Sequence, residues 1–283
     1  MRVAIATCLV LPEPDHDQDL LLTRLRGADI DAFLLAWDDP SARSEPADLC
    51  VIRSTWNYHL HRPAFLAWAE KVSARMRLCN PLPVVKWNTH KSYLRTLAEK
   101  GIRVIPTCFL DAGATARLST IMAERGWCDV VVKPTVSAAS FQTRRFTQRD
   151  RECGNTFLAE LLRERDAMVQ PYIHSVDSSG ERAIIWIDGE VTHSIHKTPR
   201  FDGGNESVSD TRPATAQERS FAAKVLATVD DDLLYGRVDV ACADDGSLMV
   251  MELELVEPSL YLARCRPALD RLVAGIRVRL ERR

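Results

Sequence analysis

The stretch 247-SLMVMELELVEPSLYL-262 decides how this chain folds. It is apolar enough for a buried strand, yet it carries Glu252 and Glu254. A period of two puts Met249, Met251, Leu253 and Leu255 on the core face and both acids together on the other. Burying unpaired carboxylates is costly, so that second face needs compensation. The preceding 233-LLYGRVDVACADDG-246 reads as a partner strand over Leu234–Ala241, with Asp245-Gly246 as the dipeptide favoured in a two-residue type I′ turn. That turn sets Asp239 opposite Glu252 and Arg237 opposite Glu254. Two acids facing each other at about 5 Å would repel by roughly 3 kcal/mol at an effective dielectric of about 20. Arg237 offsets one charge, and a hard divalent cation such as Mg²⁺ would offset the rest. On this reading Asp239→Asn relieves a repulsion and leaves the fold intact.

Composition narrows the partners. The chain has 283 residues and 46% hydrophobic content, enough for two or three lobes with their own cores. A net charge of −2 argues against nucleic acid or an anionic membrane as the main partner. The apolar start VAIATCLVL is too short to span a bilayer and reads as a first strand. Eight cysteines occur without any C-x-x-C pair, which fits free thiols in a reducing cytoplasm. The sequence leaves a homo-oligomer open.

Outward from the acidic hairpin, the first 88 residues alternate strand and helix: strands over 3–10, 30–37 and 49–53, helices over 17–26 and 63–76. This is an open α/β unit, whose ligands usually bind beyond the carboxyl ends of the strands. Arg53, Ser54, Thr55, Trp56 and Tyr58 lie at such an end and read as a substrate pocket. A second lobe, 89–173, holds a helix capped by Asn88 or Thr89 and ending at Gly101, and a strand over 104–110. A helix near 116–125 and the strand DVVVKP, ending around Lys133, follow. The small and hydroxyl residues of TVSAASFQTRRF suit a mobile loop over phosphates. A helix over 156–165 and the strand MVQPYI close this lobe. The third, 174–283, opens on a hairpin at Asp188-Gly189. After it come a loop over 198–213, a helix over 216–229, the acidic hairpin and an Arg-rich helix whose cations complement its dipole. His59 with His61, and His193 with His196, lack a third ligand at metal-binding spacing. Neither a Walker nor a Rossmann glycine motif occurs.

In order, VVKP, VQPYI, GRVDV and MELELVEPS resemble the ATP-grasp superfamily of carboxylate-amine ligases over residues 80–262. The resemblance implies an α/β fold of α+β lobes, with an N-terminal open α/β lobe on the substrate side. ATP would lie between the other two lobes, and an acyl phosphate would be made from a substrate carboxylate. It implies ATP contacts at Lys91, Lys133, Ser137, Gln170, Pro171, Tyr172 and Ile173, and a ribose-contacting acid at Asp177. Arg237, Lys133 and Lys197 would be the catalytic cations, and Asp239, Glu252 and Glu254 the Mg²⁺ ligands. Glu254 departs from the asparagine more usual there. Further motifs, VIRSTWNYH, KWNTHKSYL and ELVEPSLYL, resemble a branch of the superfamily that closes the D-cycloserine ring from O-ureido-D-serine, an antibiotic-forming reaction that releases ADP. That implies a small amino-acid-like substrate, held by Arg53, Ser54, Thr55, Trp56, Tyr58, Glu257 and Ser259. Two other readings stand beside it: a ligase joining a carboxylate to a separate amine, giving a dipeptide or glutathione-like product, and a nucleotide-binding regulatory module without turnover.

Overall fold

A computed structural model of the protein describes residues 1–41, 46–198 and 208–282. The first sheet is parallel and built from β1 (Arg2–Thr7), α1 (Gln18–Arg26), β2 (Asp31–Ala36), β3 (Leu49–Ser54), α2 (Arg62–Ser73) and β4 (Arg77–Cys79). Its strand order is β2-β1-β3-β4, and β3 is buried along its whole length, as a central parallel strand covered on both faces must be. Two short helices follow, α3 (Leu82–Asn88) and α4 (Tyr93–Glu99), where the sequence predicts one. Pro83 reads as punctuation in sequence, but it sits in the first turn of α3, where a missing N–H costs nothing.

The second sheet contains β5 (Cys108–Leu110), α5 (Leu118–Arg125), β6 (Asp129–Pro134), β7 (Arg144–Thr147), α6 (Arg151–Leu162) and β8 (Ala167–Pro171). It is antiparallel in the order β5-β8-β6-β7. The strand expected over 104–110 is shortened to β5, because Pro106 cannot donate to a ladder; Val104 instead bridges to Val250. The third sheet holds α7 (Ser175–Ser179), β9 (Glu181–Ile187), β10 (Glu190–Lys197), α8 (Ala216–Leu226), β11 (Tyr235–Cys242), β12 (Leu248–Glu254) and α9 (Arg266–Glu281), with strand order β10-β9-β11-β12. Asp188-Gly189 turns the first hairpin with both φ angles positive, as a type I′ turn requires. Most of the loop expected over 198–213, at 199–207, lies outside the described residues.

The acidic hairpin reaches its register by a different route from the one its turn implied. Ala243 and Ser247 close a three-residue loop through a 2.8 Å hydrogen bond from the Ala243 N–H, with Gly246 at φ 76°. The pairing then shifts by one residue at Met251, a β-bulge opposite the Asp239–Val240 step. The two offsets cancel, so Asp239 does face Glu252 and Arg237 does face Glu254. The bulge also interrupts the alternation. Val250, Leu253 and Leu255 enter the core, whereas Met251 turns away from it to pack with Tyr172, Val176 and Ala241.

Apolar packing crosses the lobe limits set at residues 88 and 173. Tyr93, Leu94 and Leu97 of α4 are buried against β9, β11 and β12. Val3, Ile5 and Leu25 share a core with Ile185, Leu272 and Ile276. Among the described residues no helix is long and apolar enough to cross a membrane.

Candidate active site

The outer edge of β12 would expose unpaired backbone groups, and side chains from the preceding helices satisfy them. Asn88 donates its amide to the Leu253 carbonyl at 2.8 Å and accepts from the Leu255 N–H at 2.7 Å. The Tyr93 hydroxyl accepts from the Leu253 N–H at 3.0 Å. Asn88, at the end of α3, is therefore a strand clamp rather than a cap, its amide engaged by β12, and α4 starts after Ser92 with no side-chain cap. Eight residues before Asn88, ahead of α3, Asn80 bridges the Tyr235 and Leu255 carbonyls and accepts from the Leu234 N–H. The hairpin that carries the acids is thus fixed from both sides.

On the face so fixed, acids and cations alternate. Arg237 donates from Nε to Asp239 Oδ1 at 2.8 Å and from Nη2 to Glu254 Oε1 at 2.5 Å. Lys197 lies between Asp239 at 2.8 Å and Glu181 at 2.9 Å. Lys133 holds Glu252 at 2.6 Å, with Lys91 3.4 Å from its other oxygen. Burial pushes the Glu252 carboxyl up, but Lys133 and Lys91 outweigh it and hold it well below the usual carboxylate range. The same contest leaves Asp239 lowered, because Arg237 and Lys197 overcome its burial. Burial prevails at Glu181, pushed up to about 7 despite Lys197, and leaves Glu254 raised despite Arg237. Glu257, three residues beyond Glu254, is pushed up to about 8 by burial and then by the Glu254 charge.

These groups line one cleft together with three further sets of side chains. Val131, Ile105, Met251 and Ile173 give it an apolar wall beside Gln170, Pro171 and Tyr172. Ser137, Ala138, Ala139, Ser140 and Thr143 of the small-residue loop line it, and the loop's Phe141 packs at a tilt against His59, 4.9 Å between ring centroids. Trp56, Tyr58, Glu257 and Ser259 complete it on the side of the first sheet.

Four of the expected site residues are not at the cleft. Arg53 is 3% exposed and donates to the Pro258 carbonyl at 3.0 Å, with Asp17 4.0 Å away and the Tyr235 ring beneath it. Ser54 donates to Asp15, and Thr55 is fully buried. β3 runs on to Ser54, so Arg53 and Ser54 are still committed to strand packing; Thr55, just past the strand, is buried as well, and the chain reaches the cleft only from Trp56. Asp177 points instead at the Tyr172 hydroxyl, which donates to it, while its own side chain remains half exposed. Glu181 was missed. The Asp188-Gly189 turn set it opposite His196, but a register shift after Val191 pairs it with Lys197, and bulges leave no mark in a sequence pattern.

The proposed metal ligands are all oxygen donors on one face, which suits a hard cation. Asp239, Glu252 and Glu254 are each bonded to lysine or arginine here, and among the described residues no three His, Cys, Asp or Glu side chains gather around one point. The histidine pairs likewise form no such cluster, and buried His193 is lowered to about 4 by desolvation.

Comparison with known proteins agrees with this architecture. Residues 3–80 match the family model described as D-cycloserine synthetase DcsG, N-terminal domain. The cycloserine biosynthesis protein DcsG of Streptomyces lavendulae is 34% identical over 295 residues, covering 99% of each chain. A crystal structure of D-cycloserine synthetase DcsG superposes with a TM-score of 0.90 at 32% identity, covering 99% of this chain and 100% of that one. D-alanine–D-alanine ligase from Bacillus anthracis shares the fold at a TM-score of 0.73 and 14% identity, covering 99% of each chain. The chain belongs to the D-cycloserine synthetase family of ATP-grasp ligases and is an ATP-dependent ligase.

Proposed function

We propose that the protein cyclises O-ureido-D-serine to D-cycloserine through an acyl phosphate, with release of ADP. The observation that carries this is the continuity of the cleft. The cations Lys91, Lys133, Lys197 and Arg237 and the acids of β11 and β12 open directly onto Trp56, Tyr58, Glu257 and Ser259. A nucleotide and a small amino acid therefore have a common space in which to react. Phosphoryl transfer asks a protein for positioning and charge neutralisation rather than covalent chemistry. Lys91 and Lys133, which here hold Glu252, would serve the ATP phosphates beside Ser137, and Arg237 the phosphoryl group in transfer. Lys197 would keep Asp239 ionised. Adenine would rest against Val131 and Met251, beside the backbone of Gln170–Ile173. Asp239, Glu252 and Glu254 are the residues that would hold Mg²⁺, which when bound supplies charge neutralisation to the phosphates.

The γ-phosphoryl group passes to a carboxylate oxygen of the substrate, and ADP leaves. The nitrogen bonded to the side-chain oxygen of the same molecule then attacks the acyl carbon, the bond from that carbon to the phosphate-bearing oxygen breaks, and water removes the carbamoyl group. The nucleophile belongs to the substrate, so the protein's task is to fold it, and tethering can supply a large part of the barrier reduction. On this reading residues 1–88 are the substrate-side lobe, while 89–173 and 174–283 hold the nucleotide between them.

Substrate-dependent ADP release tests the reading. O-ureido-D-serine labelled with ¹⁸O in its carboxylate should pass one label to phosphate with no amine added. A requirement for a second amine would favour an intermolecular ligase, and unlabelled phosphate during turnover would exclude the acyl phosphate.

A further inference from the structure

Among the acids that β9, β11, β12 and the turn after β12 bring to the cleft, one differs from the rest. Glu181, Asp239, Glu252 and Glu254 each hold a lysine or arginine at 3.4 Å or less. Glu257 holds none: no Lys, Arg or His nitrogen among the described residues forms an ion pair with it. Lys91 and Arg237 act on it only at longer range and are already engaged, by Glu252 and by Asp239 with Glu254. Its surroundings are otherwise aromatic or acidic. The Trp56 indole donates to the Glu257 backbone carbonyl at 3.0 Å, which sets that ring beside it, and Tyr58 lines the same wall.

A partly buried carboxyl without a counter-charge is held protonated in the empty protein, and a ligand that brings a cation favours its ionised form. A divalent metal wants several carboxylate oxygens at once, and the acids that could share one, Asp239, Glu252 and Glu254, lie on the β11–β12 face, whereas Glu257 follows β12. A single ammonium needs one carboxylate and gains from flanking aromatic faces. We infer that Glu257 is the receptor for the α-ammonium group of the substrate, so that the site selects amino acids over plain carboxylic acids. This deepens the cyclo-ligase reading and rests on it for the identity of the substrate. The substrate's ammonium takes no part in ring closure, so Glu257 acts by positioning, leaving the carboxylate toward the phosphates.

The test pairs O-ureido-D-serine with its analogue lacking the amino group, 3-(ureidooxy)propanoate, in the wild type, Glu257→Gln and Glu257→Asp. The wild type should favour the amino acid in kcat/KM by about 100-fold. Glu257→Gln should reduce that preference to about threefold or less with KM for ATP unchanged, and Glu257→Asp, which keeps the charge, should retain most of it. A Gln variant that discriminates as the wild type does overturns the assignment. ADP release with neither compound would instead defeat the cyclo-ligase reading. The assignment would then be read from calorimetry with Mg-ADP present: a preference for D-serine over 3-hydroxypropanoate that Glu257→Gln loses upholds it, and no preference in the wild type overturns it.

Discussion

The β11–β12 hairpin and the segment 53–58 both look like ligand sites in the sequence, yet they use their polar side chains in opposite ways. In the hairpin, Arg237, Asp239, Glu252 and Glu254 all reach the cleft. In the segment, Trp56 and Tyr58 reach it, while Arg53, Ser54 and Thr55 turn inward, Arg53 bonding the Pro258 carbonyl and Ser54 the Asp15 carboxylate. A strand pair with fixed register decides the face of each residue before any ligand is considered. A strand that ends inside a density of polar residues does not, and the end can shift by several residues without changing the pattern. The contrast divides the charged groups into those that would serve chemistry and those that hold the walls.

Asp239→Asn should produce the largest effect and should break both fold and activity. Asp239 is 1% exposed and neutralises Arg237 and Lys197 together, so its charge is an asset to the fold, contrary to the expectation drawn from repulsion with Glu252. Turnover should fall by about a thousandfold or more. Stability should drop by about 3 kcal/mol, because two buried cations each lose one of their carboxylate partners, Arg237 keeping Glu254 and Lys197 keeping Glu181. ADP release and urea unfolding measure the two effects, and wild-type activity at sub-saturating Mg²⁺ would remove Asp239 from the catalytic set.

Arg53→Leu probes the opposite case. Buried Asp17 would lose its nearby positive charge, although it keeps the bond from the Ala263 N–H, and the Pro258 carbonyl would lose its donor. A loss of about 2 kcal/mol in urea unfolding is expected. A rise in substrate KM with an unchanged unfolding midpoint would instead return Arg53 to the substrate pocket.

These two residues show what a sequence can disclose. The face shared by Asp239, Glu252 and Glu254 was legible because a period of two and a turn dipeptide fix it. The agreement also depended on luck, since a three-residue loop and the Met251 bulge displaced the register in opposite directions. Glu181 and the clamps Asn88 and Tyr93 were illegible as site-builders. Their partners lie 16 to 167 residues away, and no local periodicity encodes them. The order of strands and helices was readable because apolar runs and turn residues alternate, whereas Pro83 and Pro106 moved the boundaries.

Glu257→Gln sharpens the comparison with a smaller effect of opposite sign, since it should stabilise the protein and only at higher pH. The wild-type carboxyl, pushed up to about 8, stays protonated in the folded state while the unfolded chain ionises near its ordinary value of 4.5. The folded state therefore holds more protons between those values, and wild-type stability falls as pH rises through the window. Glutamine does not titrate. The variant's advantage should be absent below about pH 4.5 and grow to on the order of 2 kcal/mol by pH 8 to 9, after allowance for solvent screening. Urea unfolding across that range measures it, and a variant less stable than the wild type at pH 8 would mean that Glu257 has a partner in the fold.

Asp177→Asn should have the smallest effect of all. The resemblance that assigns this residue to the ribose of ATP rests on its position in the sequence, a few residues beyond the Gln170–Ile173 segment. Here the side chain is half exposed, does not line the cleft, and accepts a hydrogen bond from the Tyr172 hydroxyl. Asparagine can still accept that bond through its amide oxygen, so Tyr172 should keep its place beside Arg145, whose guanidinium lies 3.6 Å from the ring centroid. KM for ATP should then change by about threefold or less, because the losses, charge assistance to the Tyr172 bond and the 3.8 Å approach to His174, both lie at the rim. A residue that holds a ribose hydroxyl directly would behave otherwise: KM for ATP should rise by about tenfold or more with KM for the carboxylate substrate unchanged. Steady-state ADP release with each substrate varied in turn separates the two outcomes, and the larger rise would mean that the cleft closes onto Asp177 when ATP binds.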